Sequence, residues 1–389
     1  MSHKNIYAKR IYRCLILFFI FLFSYINLTF YAKAETAHES INPAANKTIK
    51  KWRLAYYEGG NHSSYLTILR STLHSLMYMG WLKKTNLPAM KDHKKFWEWI
   101  SVNIESDHIE FVADAFYSAD FDSNLRKIIQ NQAIERFNFK KDIDLIMAFG
   151  TWAGLDLVNS RHQVNTMVTS SSDPVASGMI PDAENSGFAH IHVHMDPDRY
   201  LNQVQLFHQI TGFNTLGIVY ENTKEGRSYA SVSKIEKAAE TLGFDLISCH
   251  AAASNTDQKK TVQSIIKCHE TLAQKVEAIY ITSPIGIDQK YIPQIIRPLI
   301  KEKIYTFAQS GTNAVKAGAM FSLEERSDSM YTARFYASNI AKVLNGAMPG
   351  NLKQIYSAPT KTIVNLETVR KIGYVLPMSI LEITDEFYY

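Results

Sequence analysis

Short polar residues follow two apolar runs in the middle of the chain. Gly150 and Thr151 come directly after the run Leu145–Phe149, and Thr169–Asp173 follow the run Val164–Val168. Both runs have the length of a buried strand, and helix-like sequence separates them. In open α/β sheets, ligands bind outside the carboxyl ends of the strands. Hydroxyl groups and helix-starting amides at such ends suit a small polar or anionic solute.

An alternating histidine cluster is a second candidate for chemistry. His190, His192 and His194 would project from one face of a strand. Because zinc takes histidine ligands, a metal site is one hypothesis. Next-but-one strand residues lie about 7 Å apart, however, which is too far for three rings to converge on one ion. No cysteine lies nearby to complete a site. We therefore expect neither a metal nor another cofactor.

Catalytic motifs are missing from the sequence. It contains no G-x-S-x-G, P-loop, H-E-x-x-H or C-x-x-C pattern. Ser170–Ser172 and Asp173 suit turn and capping roles better than nucleophile and acid roles. Catalytic triads need not be contiguous, so this search is not decisive by itself. The sequence nevertheless favours a binding protein over an enzyme.

Strand-like and helix-like segments alternate along both halves of the chain. The predicted strands are Trp52–Tyr57, Ile109–Ala113, Leu145–Phe149 and Gln163–Val168, then Thr215–Tyr220, Phe244–Cys249, Ala278–Thr282 and Ile304–Ala308. Regular alternation with short loops predicts parallel sheets with right-handed crossovers. The 389 residues exceed the roughly 250–300 at which single cores stop growing, so two lobes are expected.

Several motifs resemble one transport family. Gly150, Thr151 and Ala153 form G-T-x-A after a strand, and Thr169–Gly178 has the pattern T-x-x-x-D-P-x-x-x-G. Similar segments later in the chain are Asn214–Tyr220, Glu277–Thr282, Ile304–Ala308, Ala314–Ala319, Asn345–Pro349 and Val364–Pro377. In order and spacing, the region from Trp52 to Pro377 resembles the ABC-transporter substrate-binding family that includes the tryptophan-binding lipoproteins of Gram-positive bacteria.

The resemblance implies a fold and a domain plan. The fold is that of type I periplasmic binding proteins: two Rossmann-like α/β lobes, whose parallel sheets are flanked by helices, joined by a three-strand hinge. Lobe 1 would contain residues 51–189 and 313–346, and lobe 2 residues 190–308 and 350–380. The chain would cross between lobes near 188–192, 308–313 and 346–352.

Residues 81–108 look like an insertion relative to the family. They combine a basic run, which includes Lys94 and Lys95, with Phe96 and Trp97. Such a helix would contact a membrane or partner, or cover an edge of its own sheet. The second interpretation is favoured because large aromatic side chains are mostly buried.

The amino terminus has the pattern of a secretory signal peptide. Basic residues precede an apolar stretch, Leu15–Leu28, and small residues then predict cleavage after Ala34. The alternative is an uncleaved anchor, for which the stretch is short of the about 20 apolar residues required. Cys14 lacks the neighbours of a lipobox, unlike many family members. We expect a signal peptide at 1–34, a flexible arm at 35–50, and export across the inner membrane to the periplasm.

Without the leader, the basic charge excess disappears. Residues 1–34 hold five Lys or Arg and no acid, which leaves 42 − 5 = 37 basic against 37 acidic residues. No basic face is expected, so no nucleic-acid partner is predicted. Cys249 and Cys268 would form a disulfide in an exported protein or remain two buried thiols.

The resemblance also implies a function. The protein would be an exported solute-binding protein of an ABC importer, with an inner-membrane permease as partner. Hinge closure would hold a small polar ligand, an amino acid or related small carboxylate, in the interlobe cleft. The alternative is a ligand-sensing periplasmic subunit for a membrane signalling protein such as a sensor kinase.

Candidate ligand residues lie at strand ends and at the first crossing. They are Glu58, Gly59, Thr151, Trp152, Ala153, Thr169, Ser170 and Asp173 in lobe 1, and His192, Glu221, Asn222, Ser283 and Ser310 in lobe 2. Thr151 and the amides after it suit a carboxylate, whereas Trp152 would stack on an aromatic ring or cap the lobe interior. The family's acidic position is Ser283 here. An amino-acid ligand therefore requires Glu58, Asp173 or Glu221 to replace that acid.

Overall fold

The computed structural model describes residues 40–44, 50–252, 258–282, 289–326 and 330–389. The predicted signal peptide, most of the predicted arm and Ser283 lie outside these residues. Within the described ranges, no helix is both long and apolar enough to span a membrane.

The first half of the chain forms a parallel five-stranded sheet. Its strands are β1 (Trp52–Glu58), β2 (Ile109–Ser118), β3 (Leu145–Phe149), β4 (Asn165–Thr169) and β5 (Ile191–Val193), in the order β2-β1-β3-β4-β5. The helices between them are α1 (Ser63–Tyr78), α2 (His93–Asn103), α3 (Ser123–Phe139) and α4 (Gly150–Leu157). All neighbouring strands are parallel, so their carboxyl ends share one edge.

The second half forms a seven-stranded sheet. Its strands are β6 (Thr215–Tyr220), β7 (Asp245–His250), β8 (Ala278–Ile281), β9 (Tyr305–Ala308), β10 (Phe321–Glu325), β11 (Thr360–Asn365) and β12 (Thr384–Tyr388). The order is β12-β11-β10-β9-β8-β6-β7, and only the β10–β11 pair is antiparallel. The helices are α5 (Arg199–Thr211), α6 (Lys224–Tyr229), α7 (Val232–Leu242), α8 (Gln258–Ala273), α9 (Ile292–Lys301), α10 (Gly311–Lys316), α11 (Met330–Leu344), α12 (Leu366–Ile372) and α13 (Met378–Ile383). The predicted architecture of two α/β lobes is confirmed.

The 81–108 segment packs on its own sheet. Helix α2 buries Phe96, Trp97 and Ile100 in the core of the first lobe. Trp97 Nε1 also donates to the carbonyl of Val112 in β2, at 2.9 Å. This arrangement agrees with the interpretation that the segment covers an edge of the sheet.

The lobe boundaries differ from the predicted ones. Ile191–Val193 is the fifth strand of the first sheet, although lobe 1 was expected to end at residue 189. Phe321–Glu325 lies between β9 and β11 in the second sheet, although 313–346 was assigned to lobe 1. The later part of that range, α11, does pack in the first core. Strand β10 pairs with a strand about 40 residues later, and such non-local pairing is not encoded in its own pattern.

Three crossing segments lie side by side and form the hinge. Met195 N donates to the carbonyl of Gln354, and Tyr356 N donates to that of Met195, each at 3.0 Å. Arg326 N donates to the carbonyl of Pro359 at 2.8 Å. The described parts of the crossings therefore lie near Met195, at Arg326 and near 354–359, later than predicted in each case.

The two cysteines outside the leader are bonded to each other. Cys249 in β7 and Cys268 in α8 form a disulfide, with their Cα atoms 5.5 Å apart. This resolves the choice between a bridge and two free thiols. The bridge attaches the last strand in the sheet order, β7, to the helix that follows it.

Candidate functional site

The amino end of α4 is a turn that only glycine permits. Gly150 has φ +88°, and a Cβ there would lie 1.9 Å from the hydroxyl of Tyr65. The preceding residue, Phe149, provides no side-chain cap. The first-turn N–H groups have no partner inside the helix, so they are left for water or a ligand. Tyr65 and this helix end thus form one wall of a cleft at the carboxyl edge of the first sheet.

The ends of β3 and β4 bring hydroxyl groups together. Thr151 Oγ1 lies 3.2 Å from Ser171 Oγ, which joins the two strand ends. Thr169 is fully buried, yet its Oγ1 has no hydrogen-bond partner. Ser170 follows with φ +61°, a left-handed conformation that turns the chain sharply after β4. The sequence prediction of clustered polar groups after these strands therefore agrees with the geometry.

Trp152 packs tightly beside the end of β1. A Cβ at Gly59 would lie 2.5 Å from Trp152 Cβ, so glycine is needed for this approach. Arg126 lies over the indole ring at 4.5 Å, and its Nε donates to Asp156 at 2.8 Å. The indole Nε1 is buried and lies near Tyr229, but it makes no well-formed hydrogen bond with the described residues. The ring is only 8% exposed, so it lines the lobe interior while its polar atom stays unpaired.

The second lobe contributes two more unpaired polar atoms. The Tyr229 hydroxyl and Ser231 Oγ are buried and make no well-formed hydrogen bond with the described residues. Gln309, at the end of β9, donates from Nε2 to the carbonyl of Tyr229 at 2.7 Å. Burial raises the pKa of Tyr229, the nearby Tyr65 raises it further, and the Trp152 side chain lowers it. Tyr229 of the second lobe therefore lies near both Tyr65 and Trp152 of the first.

The lobes contact each other beside this cluster. Ser228 Oγ donates to the Asp173 carbonyl at 3.1 Å, and Ser233 Oγ lies 3.3 Å from Asp173 Oδ2. Arg126 NH1 lies 3.7 Å from a carboxylate oxygen of Glu225. Because Asp173 Oδ1 also accepts from Ala176 N, both carboxylate oxygens of Asp173 have protein partners. Asp173 is a turn and interlobe residue, which matches the capping role favoured by the sequence.

Glu58 ends β1 as a buried carboxylate. Its Oε2 accepts hydrogen bonds from the Tyr56 hydroxyl at 2.7 Å and from His93 Nδ1 at 2.6 Å. Burial raises the pKa of Tyr56, and the charge of Glu58 raises it further, so the phenol stays a donor. Glu58 also raises the pKa of Tyr65, which places the carboxylate near the Tyr65 wall.

His192 does not lie where it was predicted. It belongs to β5 of the first sheet, is fully buried, and has Nε2 3.0 Å from Lys353 O and 3.0 Å from Asn339 Nδ2. Burial lowers its pKa to about 4, so the ring is neutral near pH 7. It holds hinge segments together instead of facing a ligand. Among the described residues, no group of three potential metal ligands is present.

The other described second-lobe candidates follow strands β6 and β9. Asn222 and Ser310 are exposed, and Glu221 is partly buried at the end of β6. Ala153 is a core residue without a polar side chain. Sequence reasoning missed Tyr65, Tyr229, Ser231, Gln309 and His93. Gln309 directly follows a strand, so the rule that ligands bind at strand ends could have identified it. The sequence around the other four residues gives no comparable indication.

A separate groove of about 320 Å³ lies away from this cleft. Its walls include Trp52 and Asp144, at the amino ends of β1 and β3. Parallel strands place these residues at the sheet edge opposite the cleft. The groove is therefore distinct from the polar cluster between the lobes.

Comparisons agree with this architecture. The family model for ABC transporter substrate binding proteins matches residues 115–387. No curated protein matches the sequence. A conserved domain protein from Vibrio cholerae is 18% identical with TM-score 0.63, covering 87% of this chain and 100% of its own. The ABC domain from Streptococcus pneumoniae in complex with L-Trp is 17% identical with TM-score 0.65 and the same coverages.

A third structure is the ligand-free, open form of a substrate binding protein with adhesive properties from Clostridium difficile. It is 17% identical with TM-score 0.56, covering 87% of this chain and 99% of its own. The matched family comprises solute-binding proteins rather than enzymes, and its members work with a small-molecule ligand and a membrane permease. The chain belongs to the ABC transporter substrate-binding protein family and has the type I periplasmic binding protein fold.

Proposed function

We propose that this protein is the solute receptor of an ABC importer and that it holds an amino acid or related small carboxylate between its lobes. One observation carries the proposal. Among the described residues, four buried polar atoms at the cleft make no well-formed hydrogen bond: Thr169 Oγ1, Ser231 Oγ, and Trp152 Nε1 and the Tyr229 hydroxyl, which lie close to each other. A buried polar group left unpaired costs about 1–3 kcal/mol, so such a cluster favours a polar ligand.

These four atoms come from both lobes, which supports closure of the lobes around the ligand. Trp152 and Thr169 belong to the first lobe, and Tyr229 and Ser231 to the second. A ligand that bonds atoms from both lobes makes its full set of contacts only when the lobes meet. Such differential contacts shift the population toward the closed state, which is the form a permease partner would recognise.

The amino end of α4 supports an anionic group on the ligand. Its first-turn amides and the Thr151 hydroxyl stand beside Thr169 at the sheet edge. Helix amino termini attract carboxylates through unpaired N–H groups and the helix dipole. The leader-like residues 1–34, together with the family, support placement in the periplasm.

A thermal-shift screen of the chain from Glu35 tests the proposal. The probes are the twenty L-amino acids, their desamino acids and small carboxylates. Ligand at about 100 times its Kd should stabilise the protein by about 2.7 kcal/mol. Hits are confirmed by isothermal titration calorimetry. Absence of saturable binding to every probe would contradict the proposal.

Paired variants locate the site. Ser231→Ala removes an unpaired buried hydroxyl, so we expect weaker binding with little loss of protein stability. The control is Thr241→Ala on the neighbouring helix, whose hydroxyl is exposed and bonds to Lys237 O within its own helix. Equal affinities for both variants would place the ligand elsewhere.

A further inference from the structure

We propose that Glu58 is the cation-recognising group of the cleft, that His93 holds it in place, and that the ligand carries an amine. This inference rests on the proposed function, since it assumes a ligand between the lobes. It adds the chemical class of that ligand. Because His93 belongs to the 81–108 segment, this segment would also contribute to the preference for ligands with an amine.

The two oxygens of Glu58 are in different situations. Oε2 accepts both hydrogen bonds, from Tyr56 and from His93. Oε1 accepts no hydrogen bond from the described residues. The whole residue is only 1% exposed. A buried carboxylate oxygen without a donor needs one strongly, and an ammonium group supplies both the donor and the compensating charge.

Glu58 lies in the wall of the cleft. The next residue, Gly59, contacts Trp152, whose Nε1 is one of the four unpaired atoms. Glu58 also raises the pKa of Tyr65, whose hydroxyl lies against Gly150 at the start of α4. An ammonium at Oε1 would therefore stand at the edge of the unpaired cluster, with the α4 amino end available for a carboxylate of the same ligand.

Other carboxylates beside the cleft have protein partners on both oxygens or pair with arginine. Asp173 is bonded through Oδ1 and Oδ2. Asp156 accepts from Tyr57 on Oδ2 and from Arg126 on Oδ1. Glu225 lies 3.7 Å from the same arginine. Within the described part of the chain, Glu58 differs from Asp173 and Asp156 because only one of its oxygens accepts hydrogen bonds, and from Glu225 because it is buried and has no arginine partner.

His93 is the positioning residue. It begins helix α2, and its ring is buried, with Nδ1 2.6 Å from Oε2. Tyr56 approaches the same oxygen from within β1. Two donors on one oxygen fix the plane of the carboxylate and leave the other oxygen directed away from them. Preorganisation of this kind limits the entropy lost when the ligand binds.

The test measures preference for the amine and not affinity alone. Each amino acid that binds the wild-type chain is compared with its desamino acid by calorimetry; L-tryptophan and indole-3-propionate are the first pair. We expect the amine to bind at least about tenfold tighter, as a charge-assisted hydrogen bond predicts. Glu58→Gln should reduce the preference to about twofold or less. The control Glu98→Gln, at an exposed position of α2, should retain it.

Two variants of His93 distinguish its role in positioning the Glu58 carboxylate from a role in protein stability alone. His93→Asn keeps a donor near the place of Nδ1, whereas His93→Phe removes it. We expect the amine preference to survive in His93→Asn and to fall in His93→Phe, whatever their melting temperatures. A merely structural role would lower stability in both without changing the ratio of the two affinities.

The outcomes distinguish this inference from the proposed function. Tightest binding by an amine-free acid, or an unchanged preference in Glu58→Gln, would overturn the role of Glu58 while leaving a solute receptor. Absence of binding by every probe would overturn the proposed function and this inference with it.

Discussion

The cleft and the hinge are both buried and polar, but they differ in what their polar atoms contact. Trp152 Nε1 and Thr169 Oγ1 of the cleft have no hydrogen bond among the described residues. At the hinge, His192 and His194 each bond through Nε2 to a carbonyl on another crossing segment, although His192 Nδ1 has no partner among the described residues. The hinge hydrogen bonds join crossing segments, whereas the cleft atoms are left for a ligand. Changes at the hinge should therefore alter stability, and changes at the cleft should alter binding.

The largest expected effect is a loss of stability on acidification through the hinge. His192 has a pKa of about 4 in the folded protein, against about 6.5 in the unfolded chain. Between these values the unfolded state binds more protons, so the free energy of unfolding falls as pH falls from 6.5 towards 4. The limit is about 3 kcal/mol for this group alone.

Urea denaturation at about pH 7.5 and about pH 5 measures this loss. Buried His162 and His269 also have pKa values of about 4, so they contribute over the same range. His192→Gln should thus reduce the pH dependence without removing it. An unchanged pH dependence in His192→Gln would contradict the assignment of this effect to the hinge.

A smaller loss is expected for Asn339→Leu. Asn339 lies on α11, is buried, and donates from Nδ2 at 3.4 Å to Lys353 O, the same carbonyl that His192 Nε2 bonds. Removal of this contact should lower the free energy of unfolding by about 1–2 kcal/mol and leave ligand preference unchanged. Ser338→Ala, at an exposed neighbour, should stay within about 0.5 kcal/mol of wild type. Altered ligand preference in Asn339→Leu would weaken the distinction between hinge and cleft.

The contact between lobes should affect binding at a lower level. Ser228→Ala removes the hydrogen bond to the Asp173 carbonyl, which exists only while the lobes meet. A loss of about 1 kcal/mol in the closed state lowers ligand affinity about fivefold. Calorimetry should show the same decrease in affinity for an amino acid and for its desamino acid, since Ser228 is not placed near the amine of the ligand. Unequal decreases would indicate direct contact with the ligand.

The smallest effect on stability is expected for Thr169→Val. The Thr169 hydroxyl is already unpaired, so its removal should leave the free energy of unfolding unchanged or slightly higher. Ligand affinity should nevertheless fall. Thr166→Val is the matched control on the same strand, because its buried hydroxyl donates to Val164 O at 2.9 Å. Urea denaturation should show that the control loses about 1 kcal/mol of unfolding free energy. A larger loss for Thr169→Val than for Thr166→Val would contradict the comparison.

Much of the first cleft wall could be predicted from sequence because it is local. The apolar run Leu145–Phe149 is β3 with the predicted bounds, and the polar residues after it begin α4. The pairing of Glu58 with His93 spans 35 positions, and no local pattern encodes it. Similarly, Tyr229 lies at the far end of the short helix that follows β6, so no strand-end pattern marks it.

The hinge was more difficult to predict from the sequence than the cleft. The alternating histidine segment correctly predicts a strand. Which of the two sheets this strand joins depends on a pairing partner elsewhere in the chain. His192 pairs with β4 and bonds to residue 353, so long-range contacts decided its role. The return strand β10 likewise was misassigned because its partner β11 is distant in sequence.

The Cys249–Cys268 bridge has a consequence for aggregation. Strand β7 has a neighbour only on one side in the described sheet, and its side chains are largely exposed or half-buried. An unpaired strand edge is a template for pairing with another chain. The bridge ties this edge to α8 across a 19-residue separation. Reduction would release the edge to fray, so protein produced under reducing conditions is expected to self-associate more readily than the oxidised form.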